Sequence, residues 1–221
     1  MPGLLIVFLV LAAIIGAVFY YRAEQKRQAR LRKWAAGHAW SFNAGPLGDW
    51  DQRYTGIKVF DKGHSREGKN IITGRFQGHP VTLFDYKYVT GHGKNRTTHN
   101  RGVVILACEF PTVPLHIRRE HAFDKVGEFF GADDIDFESA EFSRKFFVKS
   151  GDRKWAYDVI HTRTMEYLLS APSFTIEFGY GEIAVYKTGR CDPGRYEDAV
   201  RMAAKLHDLV PDYVIKEMKG I

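Results

Sequence analysis

The chain has 221 residues, of which 45% are hydrophobic and 14% aromatic, enough to bury a core in one domain or two small ones. That content excludes a disordered chain beyond a juxtamembrane stretch and a few loops. The formal net charge is +6, and its placement along the chain decides what kind of partner it implies.

Leu4 to Tyr21 reads LLIVFLVLAAIIGAVFYY, with no charged residue. At about 1.5 Å per residue this helix spans roughly 27 Å, close to the ~30 Å hydrocarbon core of a bilayer. A cleaved signal peptide would need a basic leader, a shorter apolar run and an A-x-A-like site. Instead the leader is Met1-Pro2-Gly3, and the run ends in Phe19-Tyr20-Tyr21, aromatics suited to the headgroup boundary. The expected organisation is a transmembrane anchor over residues 1–21, a basic juxtamembrane helix over 22–36 and an α+β domain over 37–221. Ala12, Ala13, Gly16 and Ala17 place small residues four apart on one face, a spacing that lets two spanning helices approach for self-association.

Residues 22–33 carry Arg22, Lys26, Arg27, Arg30, Arg32 and Lys33 against Glu24 alone, a net charge of +5. Residues 1–21 carry none, so only +1 of the +6 is left for the rest of the chain. The basic balance therefore belongs to the membrane flank, where these six residues form a lipid-facing surface. It predicts a single-pass cell-membrane protein with its N-terminus outside and its C-terminal domain cytoplasmic. A nucleic-acid-binding domain, which would hold its excess charge on the folded part, is not expected.

The helix should continue through the flank and stop near Gly37. Residues 38–68 are rich in Gly, Asp and isolated aromatics, with no placeable period. Asn70 to Phe76, Pro80 to Thr90 and Gly102 to Phe110 predict an antiparallel meander, the second strand having both faces partly covered. Leu115 to Arg118 adds a strand, Phe123 to Phe130 a short helix, Glu138 to Phe142 a helical turn and Lys145 to Lys149 another strand. Trp155 to Ile160 and Thr162 to Ser170 read as helices, the second with Thr162 as N-cap. Phe174 to Phe178 and Glu182 to Lys187 form a hairpin around Gly179-Tyr180-Gly181. A final helix opens with Asp192 as cap and Pro193 at its first position, and should pack on the sheet. This order gives an α+β fold: an N-terminal transmembrane helix, an antiparallel-sheet domain and a C-terminal packing helix.

FDYKYVTGHGKNRTTHNRGVV (84–104) and IDFESAEFSRKFFVKSGDRKWAYDVIHTRTMEYLL (135–169) resemble a family of bacterial single-pass, membrane-anchored proteins without an assigned activity. The shared pattern joins an FDY segment and a glycine-containing polar loop to an FES-x-x-F-x-x-x-F-x-V stretch, a D-x-x-x-A-Y turn and an M-E-x-L-L helix. It is met here by Phe137, Glu138, Ser139, Phe142, Phe146, Val148, Asp152, Ala156, Tyr157, Met165, Glu166, Leu168 and Leu169. The pattern is aromatic and aliphatic, so the resemblance implies a shared fold and no chemistry.

The loop Thr90 to Arg101 is the most suggestive candidate site. Gly91, His92, Gly93, Lys94, Asn95 and Arg96 offer backbone amides and two cations to an anion or a partner, without the spacing of a nucleotide-binding P-loop. His92 and His99 could face each other across it, with His79 or His64 as further donors. No cysteine or carboxylate clusters with them in sequence, so no metal and no cofactor is expected. Asp133, Asp134, Asp136 and Glu138 lack EF-hand spacing and read as a capping acidic turn. Cys108 and Cys191 read as free thiols, the first a small core residue. No G-x-S-x-G elbow is present. The function expected is therefore a membrane-tethered interaction module binding a protein partner or the anionic membrane surface. The alternative is a membrane-associated enzyme or small-anion-binding domain using the 91–96 loop.

Overall fold

The computed structural model describes residues 2–120 and 135–221, with backbone alone for residues 2–5. Anchor and flank form one helix, α1, Pro2–Gly37. From Ile6 to Tyr21 its side chains are exposed, and it is long and apolar enough to cross a membrane. Its second half behaves differently: Leu31 and Ala35 are fully buried, so the flank is part of the folded core.

The chain then runs through β1 (Ser41–Asn43), the short helices α2 (Trp50–Arg53) and α3 (Lys58–Asp61), and the strands β2 (His64–Phe76), β3 (His79–Thr90), β4 (Thr97–Ala107) and β5 (Leu115–Arg119). After residue 135 come α4 (Ala140–Lys145), β6 (Phe146–Ser150), α5 (Arg153–Val159), α6 (Thr162–Ser170), β7 (Thr175–Phe178), β8 (Glu182–Thr188), α7 (Pro193–Leu209) and α8 (Asp212–Lys219). The strands make one eight-stranded sheet in the order β1-β2-β3-β4-β8-β7-β5-β6, antiparallel throughout. The fold is α+β, with the meander and the β7–β8 hairpin where the sequence puts them.

Period-two alternation sends β3 into two cores. Val81 and Leu83 join the larger one, under α1, α5, α6, α7 and α8. Phe84, Tyr86 and Tyr88 join a second, covered by Trp50, Ile57, Val59 and Phe60. The unplaced stretch 38–68 thus supplies the lid of the second face. Trp50 stacks on Phe84 at 3.9 Å between ring centroids.

Several expectations shift. β2 begins six residues earlier than Asn70, and β4 begins at Thr97, so the hairpin loop shrinks to residues 91–96 and His99 lies in a strand. Thr162 is the first helical residue of α6 rather than its cap, which is His161. The helical turn near residue 140 lies later, over Ala140–Lys145, because the Ser139 hydroxyl caps it by accepting from the Phe142 amide at 3.2 Å. α7 keeps its expected cap, Asp192 accepting from the Arg195 amide at 3.0 Å with Pro193 following. A separate α8 follows Pro211, where the missing N–H stops α7. The helix expected at 123–130 and the acids Asp133 and Asp134 lie outside the described residues.

Glycine is required where elements touch closely. A Cβ on Gly102 of β4 would strike the Sγ, Cβ and backbone nitrogen of Cys191 at the entry to α7. Gly102→Ala should therefore cost about 1–3 kcal/mol, the range for overpacking. Thermal unfolding checks it, and an unchanged melting temperature would show that the β4–α7 contact yields.

Candidate functional site

The anchor meets the sheet through a buried polar hub on Asp85, in the middle of β3. Arg27 donates to it from both terminal nitrogens, Nη1 to Oδ2 and Nη2 to Oδ1, each at 2.7 Å. Asn70 Nδ2 donates to Oδ2 at 2.8 Å, and the Tyr196 hydroxyl to Oδ1 at 3.1 Å. Burial, with Asp85 beside it, pushes the Tyr196 phenol well above its ordinary range, so it stays a neutral donor. Arg27 Nη2 also donates to the Cys191 carbonyl. The side chains of Arg27 and Asp85 are only 11% and 10% exposed, so the forked pair is largely removed from water.

Local backbone structure delivers these groups. A bulge in β2 between Lys69 and Ile72 puts Asn70 in the left-handed region at φ 53°, a conformation asparagine tolerates. Its amide thereby reaches both Asp85 and Glu24, the latter at 3.2 Å. Glu24 in turn pairs with Arg190, whose guanidinium sits 5.7 Å from the centroid of the Tyr20 ring. Glu24, Arg27, Leu31, Trp34 and Ala35 share one helical face. Trp34 meets Trp40 edge-on and Tyr196 in a stack.

Arg27 therefore corrects the expectation that all six basic residues form the lipid-facing surface: its charge is committed inward because the buried Asp85 carboxylate needs a cation and Arg27 is the one that reaches it. Arg22, Lys26, Arg30, Arg32 and Lys33 are exposed, with Arg32 over the Phe42 ring at 5.3 Å. At about 1.5 Å per residue, Arg22 and Lys26 lie within about 8 Å of Tyr21 along the axis, and Lys33 about 18 Å away. The flank thus grades from the anchor end into the domain.

Contacts of α1 and of the turn that follows it also orient the sheet. Glu24 meets Asn70 and Trp40 meets Arg75 through its indole N–H. Moving toward the anchor is therefore moving toward the start of β2 and the end of β3, which is the end bearing the 91–96 loop. Lys94, Asn95 and Arg96 are exposed there. The amides of Asn95 and Arg96 close onto the carbonyls of His92 and Gly93 at 3.1 and 3.4 Å, so the loop presents its side chains outward rather than a cradle of amides.

The pair that comes together beside this loop is His92 with His64 rather than His92 with His99. His92 stacks on His64 at 4.9 Å, while His99 pairs with the Thr90 hydroxyl at 2.8 Å and stacks on Tyr88. His79 lies at the opposite end of the sheet, beside Glu109, a carboxylate whose proximity the sequence spacing did not reveal. Asp136 and Glu138 lie in an irregular stretch before α4.

A second buried group lies under α3. Glu177 accepts from Tyr186 at 2.7 Å, from the Val59 amide at 3.3 Å and pairs with His116 at 3.0 Å. Burial works against its charge, but these hydrogen bonds outweigh it and hold the carboxyl below its usual range. The adjoining cavity of about 210 Å³ is lined by Gly56, Lys58, Pro114, His116, Ser150 and Glu177, among others. Ser150 donates to the Pro114 carbonyl and accepts from the Asp152 amide, so its hydroxyl is engaged by backbone. Burial pushes the thiols of Cys108 and Cys191 up to about 12, which makes them poor nucleophiles at neutral pH.

No family model and no curated protein matches the chain. The fold is similar to that of a mycobacterial transport factor. The crystal structure of trehalose monomycolate transport factor A, TtfA, superposes with a TM-score of 0.60 at 17% identity, over 82% of this chain and 93% of that one. At that identity the likeness speaks for the fold.

Sequence reading missed Asp85, Asn70 and Tyr196. One signal was present: Asp85 interrupts the apolar face that Val81 and Leu83 begin. Asp85→Ala would leave Arg27 buried without its partner and should cost about 3–5 kcal/mol, with the double change of Arg27 and Asp85 to alanine well short of additive. Urea denaturation of the full-length protein in detergent checks this, and additive losses would show that the pair is not coupled.

Proposed function

We propose that the chain is a non-enzymatic, membrane-tethered module whose folded domain is held at a fixed pose on its anchor to bind a protein partner or anionic lipid at the anchor-proximal end of the sheet. The observation that carries this reading is the single helix that is exposed and apolar in one half and locked to Asp85 in the other. A domain tied by a flexible linker would sample many orientations, whereas a continuous helix presents one end of the sheet toward the bilayer.

Lys94 and Arg96 stand in the loop at that end, with Asn95 and His92 beside them, and Arg22 and Lys26 lie on α1 just past its apolar run. Each cation near an anionic surface contributes about 1 kcal/mol. The small-residue face of Ala12, Ala13, Gly16 and Ala17 is exposed along the apolar half, open to a second spanning helix. The excess of Arg and Lys after the span favours a cytoplasmic domain and an outside N-terminus. An accessory role in a membrane transport assembly is in keeping with the fold neighbour TtfA, a transport factor by name. The cavity beside Glu177 falls below the ~300 Å³ typical of small-molecule sites, and two of its polar groups, His116 and Glu177, bond each other. Both observations favour a module over an enzyme acting at that cavity.

Two experiments test this. Lys94→Cys, probed with a membrane-impermeant maleimide, should label only after cells are permeabilised, against a low background from the two native thiols. Labelling on intact cells would reverse the orientation. Crosslinking from native membranes should recover a membrane-protein partner with the full-length chain and lose it when Lys94 and Arg96 are both alanine. Binding to anionic vesicles but to no protein would point to the lipid surface, and neither would end the module reading.

A further inference from the structure

At the end of the sheet away from the anchor, three elements bring together His79, Glu109 and His207. His79 follows the two-residue turn of the β2–β3 hairpin, in which Gln77 and Gly78 both take positive φ, the tight geometry of a type I′ turn. Glu109 lies two residues past β4, the neighbour of β3. His207 stands in the last turn of α7, which packs across β4.

The carboxylate bridges the two rings. His79 Nδ1 lies 2.8 Å from Glu109 Oε1, and His207 Nε2 lies 2.9 Å from Oε2. The ring centroids are 4.1 Å apart, and the three donor atoms lie within 4.8 Å of one another. The histidines are 13% and 11% exposed, whereas Glu109 is 55% exposed. The donor set is therefore walled on the imidazole side and open to solvent on the carboxylate side.

We propose that His79, Glu109 and His207 form a binding site for a divalent transition ion, zinc by its preference for imidazole and carboxylate donors, with water in the fourth position. Three features support it beyond proximity. Tetrahedral zinc with bonds of about 2.0–2.1 Å needs donor atoms about 3.3 Å apart; each ring nitrogen already lies against a different oxygen of Glu109 and the three donors lie within 4.8 Å, so the His–Glu distances open slightly while the two rings draw together. His207 Nδ1 lies 3.4 Å from the Asp208 carboxylate, an outer partner that orients the ring and leaves Nε2 for the ion. Buried Phe110 flanks the His207 ring at 5.3 Å. Two imidazoles and one carboxylate with an open position form a donor set that zinc uses widely. Here the ion would clamp the end of α7 to the start of β3 and the segment just past β4.

The plain alternative is a carboxylate hydrogen-bonded between two rings with no ion. Untagged full-length protein in detergent, stripped with chelator and dialysed, is titrated with Co²⁺ as an optical probe. One ion per chain should bind with the strong visible bands of tetrahedral cobalt, and Zn²⁺ should abolish them. Glu109→Gln and the double His79→Gln, His207→Gln variant should lose the bands, while His64→Ala with His92→Ala, altering the other close histidine pair, should keep them. Zn²⁺ should also raise the melting temperature of the parent and not of the Glu109→Gln variant. Failure to saturate at one ion, or bands that survive Glu109→Gln, would overturn the site. If the double histidine variant does not fold, Glu109→Gln decides alone, because its side chain is mostly in solvent.

Discussion

The forked pair between Arg27 on the anchor helix and Asp85 on β3 sets the frame for everything else in this molecule. A carboxylate in the middle of a sheet, under a helix, is tolerable only if its charge is met and its lone pairs are filled. Arg27, Asn70 and Tyr196 do this from three elements, so satisfying one charge fixes the anchor helix, the bulge of β2 and the start of α7 at once. Leu31 and Ala35 then seal the helix against the sheet one and two turns further on. Apolar residues of matching volume can equal a buried ion pair in stability, but they lack the directional bonds that define one register.

That register has a consequence for function. The helix carries no Gly or Pro between Ala17 and Ala36, so the domain inherits the direction of the anchor. One end of the sheet, with the loop of Lys94 and Arg96, falls on the anchor side, and the other, with His79, Glu109 and His207, falls on the far side. The two ends thus differ in chemistry, cations at one and a carboxylate between two imidazoles at the other.

The likeness to TtfA is one of fold, at an identity too low for side chains to be compared. What persists at such distance is the burial pattern. In this chain the pattern is the alternation of β3 between two cores and the packing of α7 on β4 and β8, both set by apolar spacing rather than by any polar motif.

The sequence by itself determined the apolar span, the charge step that follows it, the β2–β3–β4 meander, the β7–β8 hairpin and the Asp192-capped helix. Each of these is written in local periodicity or in a cap, which act over a few residues. It was silent on residues 38–68, because two four-residue helices have no period to read, and their place as the lid of the second core depends on Trp50 finding Phe84 across the sheet. Only the tertiary structure turned Arg27 inward from a row of similar cations, since no local feature separates it from Lys26 or Arg30. Only the tertiary structure joined His79 to Glu109 and His207, because contacts between residues 30 and 98 positions apart depend on how strands and helices close on one another.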